Sequence, residues 1–151
     1  MLSYSIRKGT YMHRRIISTI ICLLASASFA AEPVTPEVKQ TITTPSGLEY
    51  TSLREGSGAT PGPADTVRVN YRGTLLNGRE FDSSYKSGKP AEFKLNGVIK
   101  CWTEGLQMMK VGGKAKLVCP SNLAYGDDGI PGSVPRYAAL IFDVELLDIK
   151  K

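Results

Sequence analysis

Two runs in this chain carry residue types that could do chemistry. The first, NGREFDSSYKSGKP, spans Asn77 to Pro90; the second, SNLAYGDDGIPG, spans Ser121 to Gly132. Together they offer aromatic walls, a carboxylate at Asp82 that reads as buried, and a phenol at Tyr125, on loops separated by strands and a short helix. Such a set builds a small apolar pocket with two polar points, suited to a ligand that is greasy, nearly uncharged and bears a carbonyl. Taken singly, each residue also has a plain structural reading. Asp82, between Phe81 and the Ser83-Ser84 pair, fits a turn or a cap. Tyr125 before Gly126 fits a packed turn, and Trp102 fits a core position.

Other chemistries are absent from the pattern. His13 is the only histidine, and it lies in a segment expected to be removed, so imidazole metal ligation and Ser–His or Cys–His nucleophilic catalysis are not anticipated. Gly56, Gly58 and Gly62 sit among prolines with no Lys-Ser/Thr after them, so no phosphate cradle is predicted. No cofactor is implied.

The elements that must position the two runs follow from periodicity. Glu49–Leu53 reads as a short strand, and residues 55–65, EGSGATPGPAD, as a Gly/Pro loop. Thr66 to Gly73 alternates, with Val67, Val69 and Tyr71 on one face and Arg68, Asn70 and Arg72 on the other, the signature of a half-buried strand. Asn77-Gly78 is a strong turn signal. Ala91–Leu95 reads as another strand. Between Ile99 and Met109, Trp102, Leu106 and Met109 recur at spacings of four and three, which predicts one amphipathic helix ended by Val111-Gly112-Gly113. Lys114–Cys119 alternates again, and Ala139–Ile149 is the longest strand, with Leu140, Phe142, Val144 and Leu146 inward. The expected fold class is α+β: a curved antiparallel sheet wrapped around one short helix, with an all-β barrel as the alternative.

The amino terminus reads differently. From Met12, a candidate start, the chain runs through His13, Arg14 and Arg15, then an apolar stretch from Ile16 to Leu24, then small residues up to Ala30. This three-part layout is that of a secretory signal peptide cleaved between Ala30 and Ala31, and the apolar stretch is short for a membrane span. Cys22 lies inside that stretch behind Ile20 and Ile21, which does not fit a lipidation site. The predicted organisation is therefore residues 1–30 as signal peptide, 31–45 as a mobile Pro/Thr-rich leader, and 46–151 as one domain, placed in the periplasm or secreted.

Processing removes most of the basic character. Four of the 19 Lys and Arg, and none of the 14 Asp and Glu, fall in residues 1–30, leaving a net charge of +1 rather than +5. The remaining positives are scattered among acids, so neither nucleic acid nor stable membrane insertion is expected. Cys101 and Cys119 would remain. They could pair in an oxidising compartment, but without a C-x-x-C spacing the reading favours two buried small hydrophobes.

Residues 46–149 resemble an FKBP-type peptidyl-prolyl cis-trans isomerase, and within that family the bacterial secreted group related to macrophage infectivity potentiator. The matching pieces are SGLEY (46–50), VRVNYRGTLLNGREFDSSY (67–85), WTEGLQMMKVGGKAKL (102–117), PSNLAYG (120–126) and LIFDVELLDI (140–149), in order and at the family's spacing. The resemblance implies an aromatic hollow between helix and sheet that catalyses X-Pro rotation. Its catalytic residues map here onto Asp82, Tyr125, Trp102 as floor, Phe81 and Phe142, and its substrate-binding residues onto Tyr71, Val98, Ile99 and Val134. The implied partners are proline-containing unfolded or partly folded polypeptides and macrolide inhibitors of the FK506/rapamycin type.

Some positions depart from the family pattern. Ser87 stands where an Arg often pairs with the pocket Asp, so Asp82 needs Tyr71 or another donor. Lys100-Cys101-Trp102 replaces a common P-G-W, Ala91 replaces an aromatic, and the rim reads Ser133-Val134-Pro135-Arg136-Tyr137. These rim changes motivate an alternative, a peptide-binding or chaperone module with the same pocket and little turnover. A role in virulence or adhesion has no residue behind it. Relatives of the infectivity type dimerise through a long helical arm; the short leader here predicts a monomer.

Overall fold

The structure, a computed structural model, describes residues 39–151; the expected signal peptide and most of the leader lie outside the described residues. Seven strands form one antiparallel sheet: β1 (Thr41–Thr43), β2 (Glu49–Arg54), β3 (Thr66–Leu75), β4 (Glu80–Ser83), β5 (Ala91–Lys94), β6 (Lys114–Cys119) and β7 (Leu140–Lys150). Their order is β1-β2-β6-β7-β3-β4, with β5 also paired to β3. Among the described residues one α-helix, α1 (Lys100–Leu106), packs against β6, so the α+β arrangement is the one anticipated and the all-β alternative falls away.

Alternation sets which way each strand faces. On β3 the inward Val67, Val69, Tyr71 and Leu75 are buried, and on β7 so are Leu140, Phe142, Val144 and Leu146. The two strands pair along their length, with Tyr71 opposite Val144 and Gly73 opposite Phe142. Val67, Val69, Leu117, Leu140, Val144 and Leu146, with Leu48, Leu95 and Leu106, are fully enclosed and form the core. Burying such side chains contributes roughly 1.5–3 kcal/mol each.

The helix is shorter than its sequence stripe. Trp102, Leu106 and Met109 are all buried as predicted, but α1 ends at Leu106. The chain then tightens, with Met108 N–H donating to the Gly105 carbonyl and Met109 N–H to the Leu106 carbonyl. Gly112, at φ +89°, completes the exit into β6. Gly105 brings the helix close to the sheet: a Cβ there would lie 2.9 Å from both Leu117 methyls.

Two expectations are corrected. Thr41–Thr43, read as mobile leader, form a strand antiparallel to β2, with Thr41 opposite Thr51 and Thr43 opposite Glu49. The ladder supplies backbone partners that local sequence pattern does not reveal. Cys101 and Cys119, read as two packed hydrophobes, form a disulfide with Cα atoms 5.8 Å apart. That spacing comes from helix-on-strand packing, which no sequence motif reports.

Candidate functional site

Phe81 and Asp82 lie on β4, Tyr71 on β3, Phe93 on β5, Phe142 on β7, Trp102 on α1, Val98 and Ile99 on the turn before α1, and Tyr125 on the loop after β6. These residues, with Gly97, line one hollow of about 280 Å³. Trp102 is its base. Tyr71, Phe93 and Phe142 meet the indole edge-to-face at centroid distances of 5.1, 5.4 and 5.4 Å. Phe81 meets Phe142 in the same manner at 5.6 Å. Perpendicular rings place positive edges on negative faces, so each holds the next rigidly. Trp102 Nε1 is buried with no hydrogen-bond partner, the single such side-chain atom among the described residues.

Gly73 explains how two phenylalanines close one wall. A Cβ at this position would lie 2.7 Å from Phe81 Cζ and 2.9 Å from Phe142 Cε1. Only hydrogen fits there, and the two rings occupy the space a side chain would take.

The polar points are ordered by short hydrogen bonds. The Tyr71 hydroxyl donates to Asp82 Oδ2 at 2.6 Å, and Ser83 N–H donates to Asp82 Oδ1 at 2.8 Å. Tyr71 is therefore the donor that Asp82 was expected to need with serine at position 87. Ser87 takes no part, since its hydroxyl donates to the Ser84 carbonyl at 2.8 Å and the Lys89 carbonyl at 3.1 Å. Asp82 is exposed at the mouth rather than buried, a correction to the sequence reading. The cap that its neighbours suggest belongs to Ser83 instead, whose Oγ accepts the Tyr85 N–H that opens the next turn.

Burial, and then the hydrogen bond it donates to Asp82, push the Tyr71 phenol well above the ordinary tyrosine range. Tyr125 is raised too, by burial first and then by the Asp82 charge. Both are neutral donors at physiological pH. Ile99 stands at the start of α1 with its carbonyl accepting Trp102 N–H at 3.0 Å and Thr103 N–H at 3.2 Å.

Eight of the nine residues singled out from sequence thus share the hollow. Val134 does not. It is buried and pairs with Ile130 in both directions, each N–H to carbonyl distance being 2.8 Å. It helps line a different hollow with Arg79, Asp128, Pro131 and Arg136. Phe93 and Gly97 were missed. Phe93 had a usable signal, since it falls on the inward phase of the Ala91–Leu95 alternation; Gly97, lacking a side chain, had none. Among the described residues no grouping of three or more His, Cys, Asp and Glu is placed to hold a metal.

Comparison with known proteins agrees with this geometry. The profile of the FKBP-type peptidyl-prolyl cis-trans isomerase family matches residues 57–147. The chain is 55% identical over 108 residues to the FKBP-type peptidyl-prolyl cis-trans isomerase FkpA of Escherichia coli K12, covering 72% of this chain and 40% of that protein. It is 40% identical over 158 residues to a probable FKBP-type isomerase of Haemophilus influenzae, covering 95% of this chain and 66% of that protein. The crystal structure of FkpA from Escherichia coli superposes with a TM-score of 0.72 at 52% identity, over 76% of this chain and 53% of that one. A peptidyl-prolyl isomerase structure from Pseudomonas syringae gives 0.70 at 34% identity, over 80% and 84%.

The chain thus spans about two-fifths of the length of the FkpA relatives. The subgroup expected from sequence, that of macrophage infectivity potentiator, is corrected to FkpA. Pocket motifs are shared across such subgroups because they serve the same chemistry, so motifs alone could not separate them.

Proposed function

This chain belongs to the FKBP-type peptidyl-prolyl cis-trans isomerase family, and from that premise we propose that it accelerates rotation about X-Pro bonds of exported polypeptides. The observation that carries this reading is the single hollow lined by Tyr71, Phe81, Phe93 and Phe142 with Trp102 at its base, which Asp82 and Tyr125 also line. Amide rotation meets a barrier of about 18–20 kcal/mol because planarity carries resonance. No covalent bond needs to form or break. A catalyst need only bind the twisted amide more tightly than either planar form.

The residues suit that task. A twisted amide has lost resonance and its carbonyl is less polar, so it tolerates a dry aromatic wall better than the planar ground states do. The proline ring rests on Trp102. The Tyr125 hydroxyl and the Ile99 N–H hold the carbonyls of the peptide. Asp82, fixed by Tyr71 and Ser83, orients the mouth through its charge rather than by passing protons.

The export reading is supported by the disulfide, a bond kept in oxidising compartments such as the periplasm. Macrolides of the FK506/rapamycin type would occupy the same hollow, and competition with peptide tests this. One copy of the domain contains every lining residue, which suits a monomer; light scattering at twice the chain mass would overturn it.

The deciding experiment follows cis-to-trans exchange of a Phe-Pro or Leu-Pro peptide by NMR, with wild type, Asp82→Ala and Tyr125→Phe. A wild-type rate equal to that of buffer ends the enzymatic reading. The second reading, a client-binding or chaperone module, is favoured by Leu76, Tyr85 and Tyr137. They are 66%, 57% and 68% exposed on segments adjoining the hollow-lining residues. Refolding of a proline-free protein improved as much as that of a proline-limited one would select it.

A further inference from the structure

The Cys101–Cys119 bond takes no part in the chemistry above, yet it joins the two elements that the hollow depends on. Cys101 immediately precedes Trp102 in the first turn of α1. Cys119 is the last residue of β6, six residues before Tyr125, and it pairs with Leu140 in the interior of the sheet. Both cysteines are fully enclosed, 0% exposed.

The helix meets β6 at two points. Gly105 sits against Leu117, where a Cβ would lie 2.9 Å from both methyls, and Cys101 is bonded to Cys119. Residues four apart share a helix face, and residues two apart share a strand face. Four helical residues rise about 6 Å and two strand residues about 6.6 Å, so the two spacings match and both points can be satisfied together.

The two points differ in kind. The Gly105–Leu117 contact is van der Waals packing against flexible methyls, whereas the other is covalent. With the first alone, α1 can pivot about Gly105, and the end that swings is the end carrying Trp102. Its other ties at that end are non-covalent, chiefly the ring contacts of Trp102 itself. The helix has seven residues, and no side chain caps it at Ile99; a helix this short takes its stability and placement from tertiary ties. The Thr103 hydroxyl donates to the Leu95 carbonyl at 2.6 Å, one further polar tie in that half.

We propose that the Cys101–Cys119 disulfide is a positioning element of the ligand hollow: it sets the tilt of α1 and so holds the Trp102 floor against the surrounding rings. The proposal rests on the isomerase reading for its kinetic consequence but not for its structural one. Losing the bond swings the indole away from Tyr71, Phe93 and Phe142, and weakens peptide binding more than it slows rotation of the bound peptide.

The test compares oxidised wild type, wild type reduced in denaturant with dithiothreitol and refolded under reductant, and a pair that fills the space without a bond, Cys101→Val with Cys119→Ala. Reduction delivers two electrons and two protons, giving two thiols as dithiothreitol closes to its cyclic disulfide. Peptide exchange is measured well below each denaturation midpoint, where all three are folded.

Without the bond KM is expected to rise about three- to tenfold, the scale of one aromatic edge contact, with kcat within about twofold. Hydrogen exchange of the Trp102 and Thr103 amides is expected to quicken more than that of β3 and β7. Unchanged KM with lowered stability would overturn the proposal and leave the bond a staple only. A wild-type KM in the volume-matched pair would overturn it as well. If the oxidised wild type shows no exchange catalysis, the isomerase reading fails separately, and amide exchange in α1 still decides the positioning claim. Uniform quickening across α1, β3 and β7 rejects it.

Discussion

Replacing Gly73 by alanine adds one methyl to the tightest contact in the wall of the hollow. Its Cβ would lie 2.7 Å from Phe81 Cζ, 2.9 Å from Phe142 Cε1 and 3.1 Å from Phe81 Cε2. Carbon atoms attract best at about 3.5–4.0 Å, so the two rings must withdraw by at least about 0.6–0.8 Å. They cannot do so independently, because Phe142 is edge-on to Trp102 and Phe81 is edge-on to Phe142. Overpacking of this kind costs about 1–3 kcal/mol. The reduced freedom of alanine in the unfolded chain offsets about 0.5–1 kcal/mol, leaving a net loss centred on about 1 kcal/mol and no more than about 2.5 kcal/mol. At a urea slope of about 2 kcal/mol per molar the midpoint falls by about 0.6 M. The displaced rings also reshape a hollow of only about 280 Å³, and kcat/KM for a Phe-Pro peptide is expected to drop about five- to tenfold, carried mostly by KM. Gly97→Ala is the control, since its new Cβ meets nothing within 4 Å and its midpoint should hold. Gly73→Ala with wild-type midpoint and wild-type KM would refute the claim that this wall is set by the missing side chain.

Three more outcomes follow from the same geometry. Tyr71→Phe removes the 2.6 Å donor to Asp82 and leaves the carboxylate at an exposed mouth; stability should fall by about 1 kcal/mol in chemical denaturation and kcat/KM by about fivefold. Tyr50, Tyr71 and Tyr125 are all raised above the ordinary tyrosine range, each chiefly by burial. Their neutral forms therefore favour the folded state, an advantage fully present below about pH 10, where the unfolded phenols begin to ionise, and lost progressively as pH rises beyond it through the raised values of the folded state. Urea midpoints at pH 8, 10 and 11 should show the decline, and Tyr71→Phe should flatten it. The disulfide closes a loop of 18 residues, worth about 3 kcal/mol on the chain-entropy scale. Removing both cysteines should lower the urea midpoint by about 1.5 M at the same slope, and equal midpoints with and without reductant would contradict the bond.

Residue order alone determined five of the seven strands, β2, β3, β5, β6 and β7, because alternation of apolar and polar side chains is a local consequence of backbone geometry. Val67, Val69 and Tyr71 had to face one way whatever they met, and Trp102, Leu106 and Met109 had to share a stripe. The family pattern then placed eight hollow-lining residues at their positions, since a shared pocket chemistry preserves type and spacing. What tertiary structure alone decided is everything set by distance between segments far apart in the chain. Val134 turned inward to pair with Ile130, Phe93 joined the wall, Asp82 came to the surface on a bond from Tyr71, and Thr41–Thr43 gained a ladder. Cys101 and Cys119 met because a seven-residue helix lies on a strand at the one spacing where four residues of the first match two of the second. Periodicity reports the face a residue shows, but only the packed chain reports what stands opposite it.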